Sequence, residues 1–151
     1  MQMFHGVFRL SWSAVLDSHF KISEGQIDGV AIRNIFSTNP NCRNLPRNYF
    51  VEAFATFIFL TSIMAAEHAN EAMLPFTVGL IVWAIGMGLG GTTGFAMNQA
   101  RDLGPRFAYQ ILPIKDKVNN DWQYGLLVPG TAPFVGAVLA FFFIRYFLGI
   151  M

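Results

Sequence analysis

The stretch Gly90-Gly-Thr-Thr-Gly-Phe-Ala-Met-Asn-Gln-Ala-Arg-Asp-Leu-Gly-Pro-Arg106 decides how the rest of this chain is read. It follows a long apolar segment, begins on glycines, and places Asn98, Arg101 and Asp102 within two helical turns. Such a segment can end, expose backbone carbonyls, and restart as a short helix whose amide-bearing end faces a cavity. Irregular backbone at membrane depth survives only where protein buries it or it lines water. The stretch therefore reads as the lining of a pore.

Composition supports a membrane setting. Of 151 residues, 54% are hydrophobic and 13% charged, against roughly 25% charged in an ordinary soluble domain. Sixteen Phe and seven Met add to the apolar load. A net charge of +1 gives no case for a nucleic-acid partner, which calls for a clustered basic face. The single Cys42 excludes an internal disulfide and any cysteine metal site. His5, His19 and His68 lack metal-ligand spacing, and no Ser–His–Asp or Cys–His constellation emerges, so neither a cofactor nor an enzyme is expected.

Outward from the opening stretch, three segments are long enough to cross roughly 30 Å of hydrocarbon. They run over about 49–66, 73–91 and 124–147, and no charged residue lies between Ala72 and Ala100. The re-entrant loop and short helix occupy 92–110. Residues 21–48 read as loop, with Asn39-Pro40-Asn41 and Pro46 as turn signals. Gly86-x-x-x-Gly90, Gly90-x-x-x-Gly94 and Gly136-x-x-x-Ala140 have the small-residue spacing that lets membrane helices approach closely. For Gly86, packing and making room in a pore are equally open. Lys115 and Lys117 fall on one side and Arg145 on the other, which leaves the orientation undecided.

The run Thr-Gly-Phe-Ala-Met-Asn-Gln-Ala-Arg-Asp-Leu-Gly-Pro-Arg resembles the second signature loop of the aquaporin superfamily, and most closely its glycerol facilitator branch. That family's motif is Asn-Pro-Ala followed by Arg, with Asp added in glycerol conductors; here it reads Asn98-Gln99-Ala100-Arg101-Asp102. The resemblance continues through Asn39-Pro40-Asn41, Glu52 with Thr56, and Leu126-Leu-Val-Pro-Gly130, and through Arg106, Pro129 and Gly130. It implies an all-α membrane protein: a second aquaporin-like repeat over 49–151, with three transmembrane helices and a re-entrant half-helix. Residues 1–20 are then the remnant of a preceding third helix. It further implies a multi-pass protein of the plasma membrane and a homotetramer.

Two departures stand out. Gln99 replaces a proline, the residue favoured at a first helical position for its fixed φ, so a modestly less rigid loop is expected. One signature loop is present where the family has two, so the chain reads as a fragment or half of a split channel. The alternative to a conducting subunit is a truncated, non-conducting membrane remnant that lacks the first half of the pore.

By this resemblance the solute is glycerol, another small neutral molecule, or water. Burying an unpaired hydroxyl costs several kcal/mol, so a conducting wall must replace the hydration it removes. The carbonyls of Gly94, Phe95 and Ala96 would accept from solute hydroxyls, while Asn98 and Arg101 donate. Phe95 would supply part of an apolar wall, and a glycine at 86 would widen the constriction. Asn98 is also suited to cap the half-helix. Arg101 and the positive helix end would repel cations, Asp102 is spaced to pair with Arg106, and Glu52 would accept hydrogen bonds from the loop's amides.

Overall fold

The computed structural model describes residues 29–114 and 117–149. Within them the regular structure is all helical, in the order α1 (Gly29–Phe36), α2 (Leu45–Ala69), α3 (Leu74–Thr93), α4 (Gln99–Ile111) and α5 (Trp122–Phe143). A single tight turn, Glu71–Met73, precedes α3, and a wider helical turn, Ile144–Leu148, extends α5. The reading of residues 1–20 as a third-helix remnant lies outside the described residues, as does the start of the 21–48 segment.

Each helix begins where local chemistry supplies a start. Asn44 accepts from the Arg47 amide and Pro46 sits in the first turn of α2, where a missing N–H costs nothing. Asn98 accepts from the Ala100 amide at the head of α4, and Asp121 from the Tyr124 amide at the head of α5. These caps place α2 four residues earlier than hydropathy suggested, because Arg47 and Asn48 lie inside the first turn despite their polarity.

Lengths separate the helices into two kinds. At about 1.5 Å per residue, the 25 residues of α2, 20 of α3 and 22 of α5 reach about 30 Å or more, enough to cross hydrocarbon. The 13 residues of α4 reach only about 20 Å. Three helices are thus long and apolar enough to span a membrane, and α4 is not. Their outer surface agrees: Trp83 is 67% exposed, Met87 76% and Phe147 80%. Apolar exposure on that scale, spread over Phe50, Phe76 and Phe134 as well, suits lipid and would be a liability in water.

Packing follows the small residues. The most extensive helix contact is α2 against α5. A side chain at Gly136 would collide with the Ala53 carbonyl and the Thr56 Cβ, so this glycine sets how closely the two helices approach. Ala53, Ala55, Ala132 and Ala140 are buried along the same seam. Next, α3 packs on α2, and α4 on the early turns of α5.

One expectation is corrected here. The 21–48 segment is not all loop, since Gly29–Phe36 forms the helix α1. Ile32 and Phe36, four apart, are buried against Tyr109 of α4, with the Phe36 and Tyr109 rings 5.6 Å apart. The stabilising partner lies more than 70 positions downstream, so eight residues of weak local pattern concealed the helix.

Candidate functional site

The apolar run of α3 stops at Thr93 because Gly94 takes the left-handed conformation, φ +88°. A Cβ there would fall 2.6 Å from the Asn39 amide nitrogen and 2.9 Å from the Thr38 Cβ, so only glycine fits the turn. Phe95 and Met97 also have positive φ, 63° and 50°. Each such residue costs on the order of 1–3 kcal/mol and persists only where surroundings over-determine it.

Those surroundings are visible. The Phe95 amide donates to Thr93 Oγ1 at 3.3 Å, and the Met97 amide donates to Glu52 Oε1. Glu52 is 1% exposed and reaches the loop from α2. Thr56, one turn further along α2, donates its hydroxyl to the Glu52 carbonyl at 3.0 Å. After Met97, Asn98 caps α4 and the helix resumes.

A groove of about 490 Å³ runs beside this segment. Phe95, Ala96, Met97, Asn98, Gln99 and Arg101 form its polar side; Phe59, Leu60, Val82, Pro133 and Phe134 form much of its apolar side. Among the described residues, no hydrogen bond is directed at the carbonyls of Gly94, Phe95 or Ala96, or made by the Arg101 side chain. Arg101 lies with its guanidinium carbon 5.5 Å from the centre of the Phe95 ring. The Asn98 side-chain oxygen is engaged by the Ala100 amide at 2.8 Å, which leaves its NH₂ as the donor. Gln99 occupies the first helical position of α4 and brings both a backbone N–H and a carboxamide that proline would lack.

Of the two readings left open for Gly86, the structure shows close packing against Phe95. Gly86 does not line the groove: a Cβ on it would meet the Phe95 ring at 3.1 Å, and one on Gly90 would meet the Phe95 Cβ at 3.2 Å. The two glycines form a recess for Phe95, and Gly86 acts on the groove through that ring.

Asp102 and Arg106 form the most buried polar cluster, at 0% and 1% exposure. Arg106 donates from Nε to Asp102 Oδ2 at 2.7 Å and from Nη2 to Oδ1 at 2.8 Å. It also donates to the carbonyls of Thr38 at 2.8 Å, Asn120, and Asp121 at 3.1 Å. Asp102 Oδ1 in turn accepts from the Thr38 amide at 2.7 Å and hydroxyl at 2.6 Å. Asn120 returns a bond to the Arg106 carbonyl at 2.7 Å. Gly125 lets the guanidinium pass, since any side chain there would overlap it. The charge pair is buried but has the additional hydrogen bonds that such burial requires.

Outside the spans, Arg43 reaches Asp121 in a second ion pair and donates to Gln123 Oε1 at 3.1 Å. Burial alone would raise the Asp121 pKa, but the Arg43 hydrogen bond, the Tyr124 amide and the charges of Arg43 and Arg106 bring it below its ordinary 3.8.

Several contributors carried no signal in the sequence: Thr38, Asn120 and Tyr124 meet the loop or Arg106 only in three dimensions. Asn41 Nδ2 donates to the Gly91 carbonyl at 2.6 Å. The Tyr124 hydroxyl donates to the Thr93 carbonyl at 2.8 Å. No group of three or more His, Cys, Asp or Glu suited to a metal ion occurs among the described residues.

Residues 14–144 match the family described as Major intrinsic protein. The chain is 60% identical over 133 residues to Glycerol uptake facilitator protein 4 of Lactiplantibacillus plantarum, covering 87% of this chain and 56% of that protein. It is 59% identical, with the same coverage, to the D/L-lactic acid transporter of that organism. Among solved structures, the aquaglyceroporin from Plasmodium falciparum superposes with a TM-score of 0.71 at 34% identity, covering 91% of this chain and 57% of that one. The chain thus spans about half the length of the relatives it matches.

Proposed function

The chain belongs to the major intrinsic protein family, and from that premise we propose that it forms one half of the wall of a membrane channel. The solutes are glycerol and other small neutral molecules, with water among them. The observation that carries this reading is the row of unengaged carbonyls at Gly94, Phe95 and Ala96. Phe95 and Ala96 of that row line the groove together with the Asn98 and Arg101 donors, opposite an apolar side, and Gly94 precedes them just outside the lining. A polyol has the same two-sidedness, hydroxyls along one edge and carbon along the other. Carbonyls accept from those hydroxyls, the Asn98 and Arg101 groups donate to them, and Phe95 and Phe134 meet the carbon.

Exclusion of ions follows from the same parts. The N-terminal end of α4 carries partial positive charge, and Arg101 adds a full one. Together they oppose a cation while leaving a neutral solute unaffected. Glu52 holds the loop in place from behind. In this reading 49–151 is the second of two repeats, the pore closes against a first repeat, and the assembly is a homotetramer in the plasma membrane. The likeness to a D/L-lactic acid transporter adds a second proposal. A small hydroxy acid in its uncharged form presents a hydroxyl and a carboxyl to the same carbonyls. Its uptake should rise as pH falls toward its carboxyl pKa, about 3.9 as for an ordinary side-chain carboxyl.

The test is stopped-flow light scattering of proteoliposomes in an inward glycerol gradient. The chain should accelerate swelling severalfold over protein-free vesicles. Background permeability would overturn conduction by this chain and favour the non-conducting remnant.

A further inference from the structure

The strained run from Gly94 to Met97 needs more than its own contacts to keep its carbonyls in line. A helix ending at Thr93 leaves its last carbonyls without helical donors. Within the described residues the carbonyls of Gly90, Gly91 and Thr93 in the final turn are taken up from several directions. The Gly94 amide donates to Gly90, Asn41 donates to Gly91 from the loop before α2, and Tyr124 donates to Thr93 from α5. Two of the three donors are side chains from distant segments. Thr93 is held twice over, since its hydroxyl also accepts the Phe95 amide.

We propose that Tyr124 is a positioning residue for the channel's carbonyl row, acting as a helix cap supplied from another helix. Its ring is fully buried and its single hydroxyl reaches the residue immediately before the left-handed turn. With that carbonyl anchored, the Thr93–Gly94 peptide has a fixed plane, and the peptides after it inherit their direction. Asn41 anchors the preceding turn in the same way. Tyr124 touches no solute and does not line the groove; it acts through Thr93. The inference rests on the channel reading for its functional consequence, but its structural part stands on the hydrogen bond alone.

The experiment uses the full chain in proteoliposomes and compares Tyr124→Phe with wild type. The substitution keeps the ring and removes one hydroxyl. Hydrogen–deuterium exchange followed by mass spectrometry should show the 91–98 amides exchanging on the order of tenfold faster, with the α2–α5 seam unchanged. Asn41→Ala should give a smaller acceleration of the same peptide. Tyr49→Phe, which removes only the exposed bond between Tyr49 and Thr131, should leave it unchanged. In stopped-flow runs the ratio of glycerol to erythritol permeability should fall at least twofold at equal protein density, because a slack carbonyl row discriminates less by size. Unchanged 91–98 exchange in Tyr124→Phe overturns the inference, as does faster exchange spread over the whole chain. If wild type itself shows no conduction, the channel reading fails while the exchange experiment still decides the role of Tyr124.

Discussion

Two arginines five positions apart on α4 live in opposite surroundings. Arg106 is 1% exposed and spends its donors on Asp102 and three backbone carbonyls. Arg101 faces the groove, has no ion-pair partner among the described residues, and lies against the face of Phe95. The same side chain therefore serves two ends. Arg106 ties the loop 37–41, the half-helix and the 119–121 connection into one block, and Arg101, in the turn before it, is left facing the groove.

That contrast can be broken most forcefully at Arg106. Replacing it with leucine strands the buried Asp102 carboxylate, and removing one partner of a buried pair costs about 3–5 kcal/mol. Arg106→Leu should lower the thermal transition in detergent by far more than any other change described here, and a transition like that of wild type would show the cluster to be dispensable. Gly125→Ala attacks the same block from α5, since the added Cβ overlaps the guanidinium. Overpacking of this kind costs about 1–3 kcal/mol, to be read in the same thermal assay.

Arg101→Ala sharpens the comparison from the other side. Its stability should stay within about 0.5 kcal/mol of wild type, the usual range for a substitution with no buried partner. The expected change is functional: proton leak in pH-jump vesicles should rise about tenfold, and glycerol flux should fall because one of the solute's two side-chain donors is lost. A large loss of stability would mean that the two arginines are not divided in this way.

The smallest effect concerns the Arg43–Asp121 pair outside the spans. The folded pKa of Asp121 lies below 3.8, so its stabilising contribution is present above the unfolded value and is lost as pH falls through the folded one. Thermal transitions should be flat in this respect from pH 7 to about 5 and fall off below about 3.8. Asp121→Asn, which can still cap α5, should flatten that decline.

Much of this architecture was legible in the amino-acid sequence, for identifiable reasons. The three spans announce themselves by length without charge, and Asn98 with Arg101 marks the restart after glycines. The start of α2 escaped, because Pro46 reads as a turn signal whereas it sits in the first helical turn behind the Asn44 cap. What else escaped depends on distance along the chain. Nothing near Gly29–Phe36 reveals that Tyr109 buries it, and no local pattern brings Thr38 or Asn120 to Arg106. Tyr124 reads as one more aromatic at a membrane interface until its hydroxyl is seen on the Thr93 carbonyl. Gly86 was legible as a place where bulk is avoided, though the ring of Phe95 that fills the space was not.

The central claim is that the first turn of α4 faces an aqueous path at membrane depth. Cysteines placed one at a time at Gln99, Arg101, Trp83 and Met87 in a Cys42→Ser background, reconstituted and exposed to a membrane-impermeant maleimide, test it most directly. The account predicts rapid labelling of Gln99→Cys and Arg101→Cys, slowed by molar glycerol, and labelling of Trp83→Cys and Met87→Cys only by a lipid-soluble reagent. Labelling of Gln99→Cys and Arg101→Cys by the lipid-soluble reagent alone would contradict it.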